Sequence, residues 1–275
     1  MTTATAPVAA RARTSSRNAF FALLLRDLAV LRKEIGMFLG RTVMQPLLLI
    51  FVFTYVFPKI GQSIGGPRGA TSFSTLLVGG VIASAMIFQG VQAVALPLVN
   101  DFGYTREIED RVLAPMPVWA VAMEKVASGA IQAMIAALVV FPLAAIIPAT
   151  PVHLRVHWIL LVTILPLAAI MSAALGLTIG TRVEPRQVPL IFSLLVIPMT
   201  FLGAVYYPWK SLTPLPVLKV AVLANPLVYM SEGLRMALTV GVPHMPAIAV
   251  YGALVGFSVV FLQLGIAGFK RRVLS

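Results

Sequence analysis

Long apolar runs separated by short polar segments dominate the chain. Six of these runs are long enough to cross a bilayer core, which needs roughly 20 apolar residues in a helix. As drawn, none of the six runs contains Asp, Glu, Lys, Arg or His. The pattern predicts an all-α polytopic membrane protein with spans at 42–57, 73–99, 126–148, 158–180, 188–206 and 246–269.

A helix of a different kind precedes the first span. Apolar residues recur there at steps of three and four while charged residues fall between them, which is the pattern of an amphipathic helix. Its charges forbid spanning, so segment 18–40 is predicted to lie in the cytoplasmic interface; a soluble helix packed on another domain is the alternative. The apolar positions are Phe21, Leu24, Leu28, Leu31, Ile35 and Phe38, and the charged ones are Arg26, Asp27, Arg32, Lys33 and Glu34.

The two ends of the chain and the segment after the fifth span do not fit the spanning pattern. Residues 1–17 and 271–275 predict cytoplasmic tails, the first one disordered because it lacks an apolar core. Segment 207–238 is too apolar for a soluble loop, yet its four prolines exclude a single spanning helix. We predict short re-entrant helices that form an outer gate, since irregular backbone survives in a membrane only under a cover of protein or water.

Composition supports a membrane protein and indicates its orientation. The chain is 59% hydrophobic and 11% charged, with a mean hydropathy of +0.96. The net charge of +12 does not indicate nucleic acid, because the Lys and Arg residues sit between apolar runs. With both termini inside, fifteen of the 21 Lys and Arg residues are cytoplasmic, which the positive-inside rule favours. We therefore expect a multi-pass plasma-membrane protein with segment 207–238 outside.

The sequence carries no visible means of supplying energy. It has no Gly-rich phosphate loop ending in Lys-Ser or Lys-Thr, and the spans offer no ionisable relay. With no Cys, thiolate metal sites are excluded. His153 and His157 lie four residues apart, but no carboxylate or thiol joins them, so interfacial polarity explains them better than a metal site. We expect no catalytic residue, bound cofactor or metal, and an energy supply from a partner.

The longest cytoplasmic loop, 100–125, is where such a partner is expected to dock. Five charges crowd into six positions beside apolar residues, and the run stops before two prolines. This predicts a short charged helix whose apolar residues anchor it in a groove on a soluble protein; a solvated loop is the alternative. The residues of this helix are Arg106, Glu107, Ile108, Glu109, Asp110, Arg111 and Leu113.

The order of these elements, together with two motif blocks, resembles the type-2 ABC exporter permeases. The first block is E-D-R-x-L-x-x-x-P in the charged loop, and the second is P-M-T-F-L-G-A-V-Y-Y-P at 198–208 followed by N-P-L-x-Y-x-x-E-x-x-R at 225–235. That family includes daunorubicin-type drug exporters, Nod-factor exporters and bacterial polysaccharide exporters. The resemblance covers about residues 20 to 270.

The resemblance implies a six-helix transmembrane domain at 41–270 that works with a separate ATPase. Segment 18–40 would be the connecting helix, the charged loop would be the coupling helix, and ATP and Mg would be bound by two ATPase copies. A second permease chain, identical or paralogous, would complete the complex. The family commonly has Ser before the motif glycine, where this chain has Leu202, so no hydroxyl role is carried over. The outer gate would comprise Leu202, Gly203, Tyr206, Tyr207 and Pro208.

Two such permeases would enclose a substrate path between their second and fifth spans. An apolar lining rich in Met suits a lipophilic drug, lipid or polyketide; a polysaccharide or lipo-oligosaccharide exporter, an ion-coupled carrier, a membrane enzyme acting on lipids and a structural subunit are the alternatives. Each lining residue has ordinary packing as its alternative. The candidates are Met86, Phe88, Gln89, Gln92, Phe192, Met199 and Thr200.

Glu232 and Arg235 lie three residues apart in the last predicted outer helix. They are expected to form either a local surface ion pair worth a few tenths of a kcal/mol or a pair that fastens the re-entrant helices. The second hypothesis predicts that exchanging the two residues restores export lost in either single variant.

Overall fold

The computed structural model describes residues 6–61, 66–102, 116–184, 187–191, 194 and 196–274. Within these ranges the chain is helical apart from connecting segments and one isolated antiparallel bridge, so the predicted all-α polytopic membrane fold is confirmed. The helices are α1 (Ala6–Lys33), α2 (Ile35–Ile50), α3 (Phe57–Lys59), α4 (Gly66–Asn100), α5 (Val118–Ile146), α6 (Trp158–Arg182), α7 (Val188–Ile191), α8 (Ile197–Phe201), α9 (Pro216–Ala221), α10 (Pro226–Leu238) and α11 (Ala247–Leu274).

Five helical stretches in the described ranges are long and apolar enough to cross a membrane. A sixth results if the pair Pro216–Ala224 and Pro226–Leu238, bent by 95°, is counted as one span. The predicted span 188–206 is helical at α7 and α8, but residues 192, 193 and 195 lie outside the described ranges, so this span stays a prediction. The five stretches are Ile35–Lys59, Phe73–Asn100, Val118–Ile146, Trp158–Arg182 and Ala247–Val273.

The junction between α1 and α2 lies earlier than the sequence predicts. α1 ends at Lys33 and α2 begins at Ile35, and a π-helical segment, Phe51–Val56, continues α2 into α3. Arg41 is therefore inside an apolar helix rather than before it. The predicted apolar face of α1 is also displaced, since Phe21 is 52% exposed. Asp27, expected on the polar face, instead points to Lys125 of α5, and this contact sets the rotation of the helix.

α4 is the central helix, and it packs tightly against α6 through glycines. A Cβ on Gly90 would lie 2.6 Å from the Cβ of Ser172, and one on Gly176 would lie 2.8 Å from the carbonyl oxygen of Val91. The two backbones therefore approach closely, as small residues allow in membrane helices. α4 also packs against α5 and α10, so its two ends take part in both of the sites described below.

Candidate functional site

A buried ion pair joins α10 to the rest of the bundle. Glu232 and Arg235 are both fully buried, and Arg235 Nη1 donates to Glu232 Oε1 at 2.8 Å. Of the two alternatives that the sequence left open, the pair is therefore buried inside the protein rather than exposed on its surface. An ion pair of this kind is tolerated only when further hydrogen bonds satisfy both charges.

Four backbone groups from distant segments supply those hydrogen bonds. The carboxylate of Glu232 accepts from Trp209 N at 2.8 Å and from Met245 N at 2.7 Å. The guanidinium of Arg235 donates to Ala204 O at 2.7 Å and to Leu76 O at 3.3 Å. We call this pair with its four backbone partners the Glu–Arg clasp; it ties α10 to α4 and to the chain on both sides of α10.

The chain between α8 and the clasp is shaped to fit beneath α10. A Cβ on Gly203 would lie 2.5 Å from Leu227 Cδ2, so only glycine fits at that position. Ala204 has φ +53, a conformation that costs a non-glycine residue of the order of 1 kcal/mol or more. Its carbonyl is held in that geometry by Arg235.

Asn225 links the two parts of the second motif block, 198–208 and 225–235. Its Oδ1 accepts from Leu227 N at 3.0 Å and so caps α10, while its Nδ2 donates to Met199 O in α8 at 2.8 Å. Extended backbone at Asn225, followed by Pro226 at the first helical position, produces the bend before α10.

The other predicted gate residues surround this junction. Tyr206 is half-buried, with its ring 5.7 Å from that of Phe53 in the π-helical segment that follows α2. Tyr207 donates from its hydroxyl to Phe201 O at 3.2 Å, and burial raises the pKa of its phenol above the usual value. Pro208 is buried, whereas Leu202 is 43% exposed.

A polar cleft lies at the other end of α4. It is lined by α1, α2, α4 and α5 and has a volume of about 720 Å³; we call it the α1 cleft. A small cavity of about 30 Å³ continues it between α2 and α4, and Arg41 and Gln92 border both. The charged residues of the α1 cleft are Arg26, Asp27, Glu34, Arg41, Asp101 and Lys125.

A chain of side-chain hydrogen bonds runs from the small cavity across the bundle. Thr42 Oγ1 donates to Gln89 Oε1 at 3.1 Å, and Gln89 Nε2 donates to Gln132 Oε1 at 3.2 Å. Polar side chains from α2, α4 and α5 therefore meet inside otherwise apolar helices, which in a membrane marks a pathway or a specific helix contact.

The predicted path residues separate into two groups. Phe88, Gln89 and Gln92 line the small cavity together. Met86 is fully buried in the core, and Thr200 donates back to Val196 O within its own helix at 2.9 Å, so neither borders either cavity. Met199 does not border either cavity and holds Asn225 through its carbonyl. Phe192 lies outside the described residues.

The remaining predicted sites are less informative. All seven residues of the charged loop, 106–111 and 113, lie outside the described ranges. His153 and His157 fall in an extended segment, so their spacing does not place the two rings on one helix face. Lys125, the last residue of the predicted loop 100–125, donates from Nζ to Asp27 Oδ2 at 2.5 Å, which docks α1 on α5.

Sequence reasoning missed the participation of Arg41, Gln45 and Gln132. The available signal was the presence of amides within apolar runs, because a glutamine in a span needs a polar partner. Arg41 escaped notice because the first span was drawn from residue 42.

The fold and these two sites define a polytopic helical membrane protein with a polar cleft at one end and a buried clasp at the other. The family model of the ABC-2 type transporter matches residues 18–239. Among relatives, the inner membrane transport permease YadH of Escherichia coli K12 is 28% identical over 237 residues, which is 83% of this chain and 88% of YadH. The YadH proteins of Escherichia coli O157:H7 and Shigella flexneri match to the same extent.

Because the family model covers most of the chain, the protein belongs to the ABC-2 type transporter family and is a membrane permease of an ABC transporter. The resemblance to type-2 ABC permeases is thereby confirmed.

Proposed function

We propose that this chain is the permease subunit of an ATP-driven exporter that moves a hydrophobic or amphipathic compound out of the cytoplasm or the inner leaflet. The proposal rests on a difference between the two ends of α4: one end is packed against the clasp, and the other faces an open polar cleft. Leu76 accepts from the clasp at one end, and Leu96 lines the open α1 cleft at the other. Twenty residues separate them, or about 30 Å of helix.

This asymmetry matches a transporter that is sealed on one side and accessible from the other. The positive-inside rule puts the α1 cleft, with both termini, at the cytoplasmic face of the plasma membrane and the clasp at the outer face. The relative YadH is described as an inner membrane permease, which agrees with that location. In the proposed cycle, substrate enters from the cytoplasmic side, and release requires the gate around Gly203 and Tyr207 to open.

The energy would come from two copies of a separate ATPase that bind ATP and Mg, while this chain holds no nucleotide and catalyses nothing itself. A second permease chain would complete the path. An ion-coupled carrier is less well supported, because each charge of the clasp is engaged by the other charge and by two backbone groups. Charges that are held this firmly stabilise the fold and are not available to relay a proton or an ion.

Reconstitution tests the proposal. The permease and its proposed ATPase partner are placed in proteoliposomes, and ATP hydrolysis and substrate accumulation are measured against a panel of lipophilic drugs, lipids and oligosaccharides. We expect an apolar or amphipathic compound to stimulate hydrolysis and to be moved in the direction of export. A permease that transports without any ATPase would contradict the proposal, and stimulation by oligosaccharides alone would favour the polysaccharide-exporter alternative.

The coupling site is tested with the charged loop. Exchanging Glu109→Arg and Arg111→Glu reverses local charges that are proposed to fit a groove on the ATPase. We expect membrane insertion to be unchanged and permease-dependent stimulation of ATP hydrolysis to be lost. Full stimulation in this double variant would move the coupling site elsewhere.

A further inference from the structure

Arg41 is a charge inside an apolar helix, and no residue in the described ranges neutralises it. It is the seventh residue of the candidate span Ile35–Lys59, and its side chain is exposed. In the part of the chain that the structure describes, its guanidinium makes neither a hydrogen bond nor an ion pair. An arginine in a membrane span is costly unless water or an anion compensates it, so its surroundings must provide one of these.

The surroundings of Arg41 are built for a polar group. Arg41 borders the α1 cleft and the small cavity, and Gln92 faces both cavities from α4. Gln45, one helical turn beyond Arg41, also lines the small cavity. A planar guanidinium binds phosphate or carboxylate through two parallel hydrogen bonds, and neighbouring amide groups add further donors.

The other cations of the α1 cleft already have partners, which leaves Arg41 to bind an anion. Lys125 is already engaged by Asp27, and Arg26 has interactions of its own. Glu34, at the junction before α2, is seven residues earlier, about 10 Å along the helix axis, and Asp101 has an interaction of its own. Among the cations of the described cleft lining, Arg41 is therefore the one without a protein partner.

The wall of the cleft next to these polar groups is apolar. Val30 and Leu31 of α1 and Leu96 of α4 line the same space. A ligand that satisfies both parts of the wall has an anionic head and a hydrocarbon chain.

We propose that the α1 cleft binds amphipathic molecules with an anionic head group, and that Arg41, assisted by Gln92, holds that head group. This assignment names a substrate class for the proposed exporter and rests on that proposed function. The same chemistry could be presented by a membrane lipid or by a soluble single-chain amphiphile.

The absence of cysteine in the sequence permits a direct binding test without any ATPase. Ala93→Cys places a thiol in the cleft, and Ser211→Cys, exposed in the short helix Trp209–Leu212, is the remote control. The purified full-length permease in dodecyl maltoside is labelled with N-ethylmaleimide in the presence of dodecyl phosphate, dodecyltrimethylammonium or inorganic phosphate. The lipid source is tested in nanodiscs of phosphatidylglycerol against phosphatidylcholine.

Dodecyl phosphate is expected to slow labelling of the Ala93→Cys protein by about fivefold or more and to leave the Ser211→Cys control unchanged. Protection should disappear in Arg41→Gln and be weakened in Arg41→Lys, which keeps the positive charge but cannot form bidentate hydrogen bonds. Gln92→Leu should also weaken it, and this variant replaces Arg41→Gln if the latter fails to elute as a single species. Slower labelling in phosphatidylglycerol nanodiscs identifies a lipid ligand, whereas protection by dodecyl phosphate with no difference between nanodiscs identifies a soluble amphiphile.

Several results would overturn the assignment. Equal protection by dodecyltrimethylammonium would show that the head-group charge is irrelevant, and equal protection by inorganic phosphate would show that no chain is bound. Unchanged protection in both Arg41 variants would mean that this arginine only reaches the lipid interface. The binding assay contains no ATPase, so its result does not depend on transport. Protection in this assay together with no ATP-driven transport in the reconstituted complex would contradict the proposed function and leave the binding site standing.

Discussion

Glu232 and Arg235 carry opposite charges, and the backbone groups around each side chain match its charge. Two N–H groups face the carboxylate, and two carbonyl groups face the guanidinium. Exchanging the two residues would point the guanidinium at donors and the carboxylate at acceptors. The exchange is therefore not expected to restore function, which corrects the prediction made for a simple ion pair.

Neutralising one member of the clasp should be severe. Glu232→Gln leaves Arg235 buried without its counter-charge, a change that typically costs about 3–5 kcal/mol. We expect a clear fall in the thermal unfolding midpoint in detergent, with unfolding monitored by tryptophan fluorescence. Glu184→Gln is the matched control because Glu184 is exposed, and its midpoint should not move. A Glu232→Arg, Arg235→Glu double variant with wild-type stability and transport would contradict the role of the four backbone partners.

Two adjacent residues of the gate motif should respond in opposite directions. Gly203→Ala places a methyl group against Leu227 and the Met199 carbonyl, so we expect lower stability. Ala204→Gly relieves a positive φ and should raise or preserve stability, because glycine adopts that conformation without steric cost. Thermal midpoints of the two variants, compared under one condition, test this; destabilisation by both would mean that the Ala204 methyl group packs more strongly than its backbone is strained.

Among the elements, α10 depends on a cap that also holds α8. Asn225→Ala removes both the cap of α10 and the hydrogen bond to Met199, while Asn225→Asp keeps the acceptor and loses only the donor. We expect Asn225→Ala to cost about 1–2 kcal/mol and Asn225→Asp to fall between it and wild type. Unfolding midpoints in detergent separate the two contributions, and equal midpoints for both variants would show that the bond to α8 dominates.

The helices themselves were predictable from the sequence because long apolar runs leave few alternatives in a membrane. Their ends were less predictable. α5 begins at Val118 and includes Glu124 and Lys125, whereas the predicted span begins after them. Charged residues continue a helix when other helices cover them, and here Asp27 of α1 covers Lys125. Local hydropathy does not contain that information.

The sites were predictable only in part for the same reason. The motifs marked Gly203 and the pair in α10, but one of the two carbonyls that accept from Arg235 belongs to Leu76, 159 residues earlier. Burial of the pair follows from that long-range contact. The amides of α2, α4 and α5 likewise form a site only after three helices pack together.

In the whole molecule, α4 connects the two sites through a rigid, glycine-packed core. A Cβ on Gly80 would lie 2.4 Å from Val205 O, so the clasp end of α4 is packed against residues 202–208, the gate segment. Movement of the gate therefore requires a shift of that segment relative to α4 rather than a local loop motion. Packed interfaces of this kind change between discrete arrangements.

Locking the clasp end tests whether this shift is part of transport. Leu154 and Thr239 form an isolated antiparallel bridge that holds the 151–157 segment to the end of α10. Opposed residues in such a bridge have Cα atoms about 4.5–5.5 Å apart, which suits a disulfide. The chain has no other cysteine, so Leu154→Cys with Thr239→Cys gives one defined crosslink.

We expect the oxidised double variant to bind substrate but to transport none in proteoliposomes, because α10, which covers the gate segment, can no longer separate from the 151–157 segment. Dithiothreitol should restore transport, and each single cysteine variant should transport normally under oxidising conditions, which controls for the loss of the Thr239 hydroxyl. Full transport by the crosslinked protein would mean that this contact persists through the cycle. In that case the opening would have to occur between the gate segment and the π-helical segment Phe51–Val56, where Tyr206 meets Phe53.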